Sequence, residues 1–203
     1  MFALVESGNI TKMMRGNKGI TIGDNQYPAA IFTVWTESER NAIGIYTIEI
    51  DETNRKNEEW YINTNITYAY DSSANKVKGT YGTATAKAHA DTKWTQSEID
   101  AGEAPAGADT NTVKTEGLKT VLIRVIKSQV KSILNETDWY ITRKAEEDIA
   151  IPSSITTHRK AVRTKQAAME TAITNAADTA ALETLYARDS NGDRPLGDIP
   201  TLE

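Results

Sequence analysis

Between Glu116 and Leu134 the chain carries an apolar stripe that a helix gathers on one side. Leu118, Val121, Leu122, Val125, Ile126, Ile133 and Leu134 recur mainly at three- and four-residue steps, the spacing that stacks side chains along one helix face. Lys119, Arg124, Lys127 and Lys131 fall largely off it. A helix so patterned hides one face against a neighbour, and the stripe is read as a docking surface. After the break Asn135-Glu136-Thr137-Asp138-Trp139-Tyr140, Pro152 with Ser153 and Ser154 marks a new helix start, since proline suits a first turn and serine caps it. That helix is expected over Ile155 to Asn175, with Ala161, Ala168 and Ala172 as a small-residue face and Val162, Met169 and Ile173 beside it. A short helix is expected next, over Thr179 to Ala187. Residues 116–188 are thus a helical domain, a hairpin or three-helix unit, and 189–203 an extended tail.

The first 82 residues have a different grammar. Phe2-Ala3-Leu4-Val5 and Ile10-Thr11-Lys12-Met13-Met14 are β-favouring runs around Glu6-Ser7-Gly8-Asn9, whose Gly and Asn tolerate positive φ and so signal a hairpin. Ile20-Thr21-Ile22 is expected to complete a meander. Gly16-Asn17-Lys18-Gly19 lacks the Gly-Lys-Ser/Thr ending and subsequent helix of a phosphate loop and reads as a turn. Thr36 with Glu39 forms a capping box for a brief helix stopped near Gly44, and Ile45 to Ile50 is strand-like. Trp35 and Ile43 bracket a small core. Ile66 to Tyr70 and Lys76 to Tyr81 make a second hairpin through a loop of about five residues. Trp60, Tyr61, Tyr68 and Tyr70 are aromatic enough to contact glycans, though aromatics in small β modules more often build the core. The fold class is α+β: a small N-terminal β-rich module of meander and hairpins with one short helix, then the helices.

Residues 83–115 read as a linker. Thr83 to Ala90 is Ala-rich and compatible with a helix, Trp94 stands isolated before Thr95 to Glu98, and Gly102 to Gly107 is small and flexible. Residues 114–188 hold 12 Lys+Arg against 9 Asp+Glu, leaving a net −8 for the rest of a chain whose total is −5. Such a spread does not suggest nucleic-acid binding, which asks for a clustered basic face. No apolar run reaches the roughly 20 residues of a membrane span, and the start is charged too soon for a signal peptide.

Reactive chemistry is hard to assemble. The chain has no cysteine, and its two histidines, His89 and His158, lie in separate contexts; neither a triad nor a zinc centre can be built from them. Asp189 to Asp193 fails the calcium-loop spacing, with Gly192 fourth instead of sixth. Glu146-Glu147-Asp148 adjoins Arg143 and Lys144 and reads as solvated ion pairing. The expectation is no enzyme, no cofactor and no metal.

Two stretches stand out, Phe32-Thr33-Val34-Trp35-Thr36-Glu37-Ser38-Glu39-Arg40-Asn41-Ala42-Ile43-Gly44-Ile45-Tyr46 and then Leu134 through Thr137-Asp138-Trp139, followed by Pro152 and by His158-Arg159-Lys160-Ala161-Val162-Arg163. Both resemble segments of the small tail-fibre and tail-fibre-assembly proteins of tailed bacteriophages. The second is similar to a Leu-x-x-Thr-Asp-Trp, Pro, Tyr-Arg-x-x-Leu-Arg ending, with His158 at the tyrosine position and Val162 at the second leucine. The resemblance implies a structural corner of Thr137, Asp138, Trp139, Pro152 and Arg159, with Trp139 packed on the preceding helix and Arg159 and Arg163 reaching toward Glu146 to Asp148. It also implies a virion tail protein assembled in the host cytoplasm, a tail-fibre or tail-adaptor subunit, homo-oligomeric, with other phage tail proteins as partners. Alternatives are an assembly chaperone absent from the mature particle and a module binding host-surface carbohydrate.

Overall fold

A computed structural model describes residues 1–202. The chain divides into two units, Met1–Thr85 and a second from Ala86 onward, and the fold is α+β, strands first and helices after.

In the first unit, β1 (Phe2–Glu6) and β2 (Asn9–Met14) form the expected hairpin around Ser7 and Gly8, both at positive φ. β1 also pairs antiparallel with β5 (Ile45–Asp51), β5 pairs parallel with β8 (Lys76–Tyr81), and β8 pairs antiparallel with β7 (Ile66–Asp71). The order is β2-β1-β5-β8-β7, and the sheet curls until its edges β2 and β7 lie beside one another. Period-two alternation then sends one residue set inward. Ala3 and Val5 from β1, Ile10 from β2, Tyr46 and Ile48 from β5, Tyr68 and Tyr70 from β7 and Val77 from β8 share one core.

The opposite face of β1 and β5 is covered separately. Leu4 and Ile45 pack with Ile20, Ile31 and Phe32. Ile20 belongs to β3 (Ile20–Ile22), which pairs with β4 (Asn25–Tyr27) in its own ribbon, so the expected three-stranded meander is corrected. Ile31 and Phe32 come from a one-turn helix, α1 (Ile31–Val34). The Thr36 capping box opens α2 (Glu37–Ala42) as expected, with Glu39 accepting from the Thr36 N–H at 2.7 Å. Trp35 packs edge-on against Tyr27 with centroids 5.8 Å apart, and with Ile43 it borders this core. Two short strands, β6 (Tyr61–Ile62) and β9 (Thr85–Ala86), pair with each other near the division.

The second unit begins within the expected linker, and that expectation is corrected. Thr83 to Ala90 forms no helix. β10 (Thr92–Lys93) pairs with β11 (Val113–Thr115), enclosing α3 (Gln96–Asp100), which carries its own capping box, Thr95 with Glu98. The helix α4 (Leu118–Asn135) has Gly117 as N-cap and no side-chain cap of its own. The preceding segment supplies the missing acceptors: Asp91 Oδ1 takes the Gly117 N–H at 2.7 Å, Ala88 O takes that of Leu118 and His89 O that of Lys119. Orphan N–H groups at a helix start need such partners. A Cβ at Gly117 would stand 2.3 Å from the Ala90 carbonyl carbon, so only glycine admits this approach. The Gly117 N–H, the Thr120 hydroxyl and nearby cations hold the Asp91 carboxyl below its usual range.

The remaining helices are α5 (Asp138–Glu147), α6 (Ser153–Asn175) and α7 (Thr179–Tyr186). α4 and α6 pack antiparallel: Lys119 Nζ at the start of α4 donates to Thr174 O at the end of α6, 2.8 Å away, while Leu134 at the end of α4 receives Arg159 from early α6. The buried residues of α6, Ile155, His158, Arg159, Val162, Met169 and Ile173, keep three-, four- and seven-residue steps. Ala161 and Ala168 are exposed, so the small-residue face does not carry the packing. The tail is not free: Leu196 is buried, its N–H donates to Leu185 O, and Asp189 Oδ1 accepts from the Asn191 and Asp193 N–H groups in a tight turn.

Candidate functional site

The stripe on α4 is divided by what α6 covers. Ile126 and Val130 are buried at 2% and 3% exposure, and Leu118, Leu122, Ile123, Ile133 and Leu134 are buried or half-buried. Val121 and Val125 remain exposed, at 38% and 47%. With about 100° between successive residues, the apolar residues span an arc of roughly 220°, more than half of the helix circumference, and one neighbour cannot cover it. The expected single docking stripe is therefore corrected: its centre is core, and only the Val121 and Val125 ridge is presented outward. Val130 and Ile123 belong to the covered side; the four-residue steps from Leu122 through Ile126 already pointed to Val130.

The junction of α4, α5 and α6 is tied by one guanidinium. Arg159 Nη1 donates to Leu134 O at 2.7 Å and to Thr137 Oγ1 at 2.6 Å, and Nη2 donates to Asp138 Oδ1 at 2.7 Å. Thr137 Oγ1 in turn donates to Leu134 O at 3.1 Å. Both the Arg159 side chain and Thr137 are buried, while Asp138 stays half in solvent. A cation on the last carbonyls of α4 answers the negative end of that helix, and Asp138 in the first turn of α5 answers the positive end of the next. The corner expected from Thr137, Asp138 and Arg159 is thus geometrically connected, and Pro152 is the N-cap residue of α6. Two details are corrected. Arg159 is spent on Asp138 instead of reaching Glu146 to Asp148, where Lys144 pairs with Asp148, and Arg163 is exposed.

Trp139 also departs from expectation. It is 51% exposed and does not anchor the preceding helix. Its ring lies 3.8 Å from that of Tyr140, and the Arg143 guanidinium stands 4.8 Å from the Trp139 centroid and 5.4 Å from that of Tyr140. The adjacent Asp138 is pulled toward Arg159, which turns the next residue outward on the helix. Ile141 and Ile149 are exposed as well, at 43% and 44%.

The residues expected to meet glycans are engaged elsewhere. Sugar rings stack on an open aromatic face, yet Trp60 and Tyr61 are buried and Tyr68 and Tyr70 line the strand core. Tyr46 and Tyr70 stack at 4.8 Å with hydroxyls 3.2 Å apart, and that hydrogen bond, with burial, pushes the Tyr46 phenol up to about 12. The glycan-contact reading of these four residues is corrected.

His89 lends its carbonyl to α4 and His158 packs inside α6. Among the described residues no group of three metal-ligating side chains converges, and no helix is long and apolar enough to cross a membrane. No family model, no curated protein and no solved structure matches the chain.

Proposed function

We propose that this chain is a structural subunit of a phage virion, a tail-fibre or tail-adaptor protein that acts by docking onto other tail proteins through its helical unit. The observation that carries the docking part is the Val121 and Val125 ridge, apolar surface left outward on a helix whose other side is already packed. Exposed apolar side chains at a four-residue step suit a partner helix or groove. The tail part rests on the sequence resemblance, and it is supported by how that segment is used: Leu134, Thr137, Asp138 and Arg159 are joined in one hydrogen-bonded corner that fixes the angle between α4 and α5.

The test is the double variant Val121→Asp with Val125→Asp. Both side chains are exposed, so its stability should stay within about 0.5 kcal/mol of the parent, while incorporation into particles, read by mass spectrometry of purified virions, should be lost. Normal incorporation of the folded variant would remove the ridge as the contact. Absence of the parent protein from particles, with soluble fibre appearing only on co-expression, would replace the structural subunit by an assembly chaperone.

A further inference from the structure

The strongest unassigned feature lies in the β-rich unit, and it does not depend on the docking reading. From Ser7 to Gly23 the chain holds Lys12, Arg15 and Lys18 and no acidic residue, although its net charge is −5. A cavity of about 380 Å³ opens there, lined by these three cations and by the turn Gly16-Asn17-Lys18-Gly19. None of the three makes an ion pair or side-chain hydrogen bond among the described residues, whereas Lys76, Lys114 and Arg159 are each paired with a carboxylate. The N–H groups of Gly16, Asn17 and Lys18 likewise take no backbone partner among the described residues.

The fold aims this segment. The β1–β2 register shifts between Leu4 and Val5, so Val5 faces Ile10 but Leu4 faces Lys12. An inserted residue in one strand turns the later residues of that strand to the other face. Ile10 consequently points into the five-strand core, while Lys12 and Met14 turn toward the cavity side. The turn is then held at both ends. Gly16 has φ +78°, and a Cβ there would stand 2.7 Å from the Phe2 ring; at Gly19 it would meet Tyr27 O at 2.6 Å. A loop seated on an aromatic core and a strand backbone is already ordered before a ligand arrives, which spares the entropy of ordering it.

We propose that this loop is a binding site for a phosphate-bearing small molecule, a phosphomonoester or pyrophosphate of about sugar-phosphate size. A tetrahedral dianion offers several acceptor oxygens to unpaired cations and successive backbone N–H groups together. The volume sits at the lower end of small-ligand pockets. A nucleic-acid strand would require the positive surface to continue past many phosphates, and three cations around one cavity do not supply that. The Walker pattern is absent, so the site recognises charge without the lysine and hydroxyl that serve nucleotide hydrolysis.

The test is a ¹⁵N–¹H NMR titration of the full chain with sodium pyrophosphate and with glucose 6-phosphate, against sodium chloride at matched ionic strength. Saturable shifts are expected at Gly16, Asn17 and Lys18 with both phosphates and not with chloride. The triple variant Lys12→Gln, Arg15→Gln, Lys18→Gln should bind at least about tenfold more weakly, each charge acting over a few ångströms, with Ile45 and Val77 resonances unmoved as the fold control. No movement of the loop amides at about 10 mM of either phosphate, a millimolar affinity being the weakest worth the name, would overturn the proposal. So would equal shifts with chloride, unchanged binding by the folded triple variant, or a response to single-stranded DNA or polyglutamate alone.

Discussion

In the β-rich unit all five strands of the curled sheet send side chains into one shared core, while in the helical unit a single guanidinium joins three helices and a borrowed carboxylate caps one of them. The apolar fraction of the whole chain is only 39%, and the two units meet that scarcity differently. A curled sheet turns alternate residues inward from every strand, so few side chains enclose a core. Helices expose most of their surface, and the helical unit uses directed polar ties where it lacks apolar area. Directional bonds fix angles without covering surface, which is how α4 can be rigidly placed and still keep Val121 and Val125 outside.

The sharpest way to break this comparison is to truncate one side chain on each side of α4. Ile126→Ala deletes a buried side chain and should cost about 2–5 kcal/mol, measured by urea unfolding. Val125→Ala, one residue before it, should change stability by less than about 0.5 kcal/mol. Equal costs would mean that the arc is not split as described.

A smaller effect is expected at the corner. Arg159→Ala takes charge-assisted bonds from Leu134 O, Thr137 Oγ1 and Asp138. Because Asp138 is half in solvent, the loss should reach only about 2–3 kcal/mol, below that of breaking a fully buried pair. Hydrogen exchange should show the amides around Leu134 to Tyr140 losing protection while those of Ile45 and Val77 keep theirs. If protection fell equally in both regions, the division between a core-held and a tie-held unit would fail.

Much of the fold is readable residue by residue, because local rules govern it. The Ser7-Gly8 turn, the Thr36 box, the Asp71 to Asn75 hairpin loop and the start of α6 at Pro152 each depend on neighbours within a few positions. The features that escape such rules are non-local. Asp91 caps Gly117 from 26 residues away, and β5 finds β8 in parallel across the intervening β6 and β7; no spacing announces either. Residues 83–90 look like a linker for the same reason, since small polar residues seem idle in sequence until the helix they cap is placed. Of the candidate site, Thr137, Asp138 and Arg159 come together in the sequence only through the resemblance to tail-fibre proteins, and the outward turn of Trp139 and the burial of Trp60 and Tyr61 depend on packing that composition does not encode.

The finest test uses a capping box that each unit carries. Thr36 with Glu39 opens α2 and Thr95 with Glu98 opens α3, with the same reciprocal bonds. Glu98 has one addition: Lys114 from β11 pairs with it while standing 4.6 Å from the Trp94 centroid. Both carboxyls are held below their ordinary 4.5, Glu39 chiefly by the Thr36 backbone N–H and then its hydroxyl, and Glu98 down to about 2 by the Lys114 ammonium first and the Thr95 groups after it. A carboxyl depressed in the folded state contributes stability that is present above its ordinary value and is lost as pH falls from there toward about 2. Lys114→Gln should therefore raise the Glu98 value until it resembles that of Glu39, read by side-chain NMR titration of both residues in one sample. Glu39 is exposed and Glu98 is still partly in solvent, so the global effect is small and the titration curve is the proper readout. If Glu98 stayed near 2 without Lys114, the capping box alone would account for it, and the added tie of the helical unit would carry no weight there.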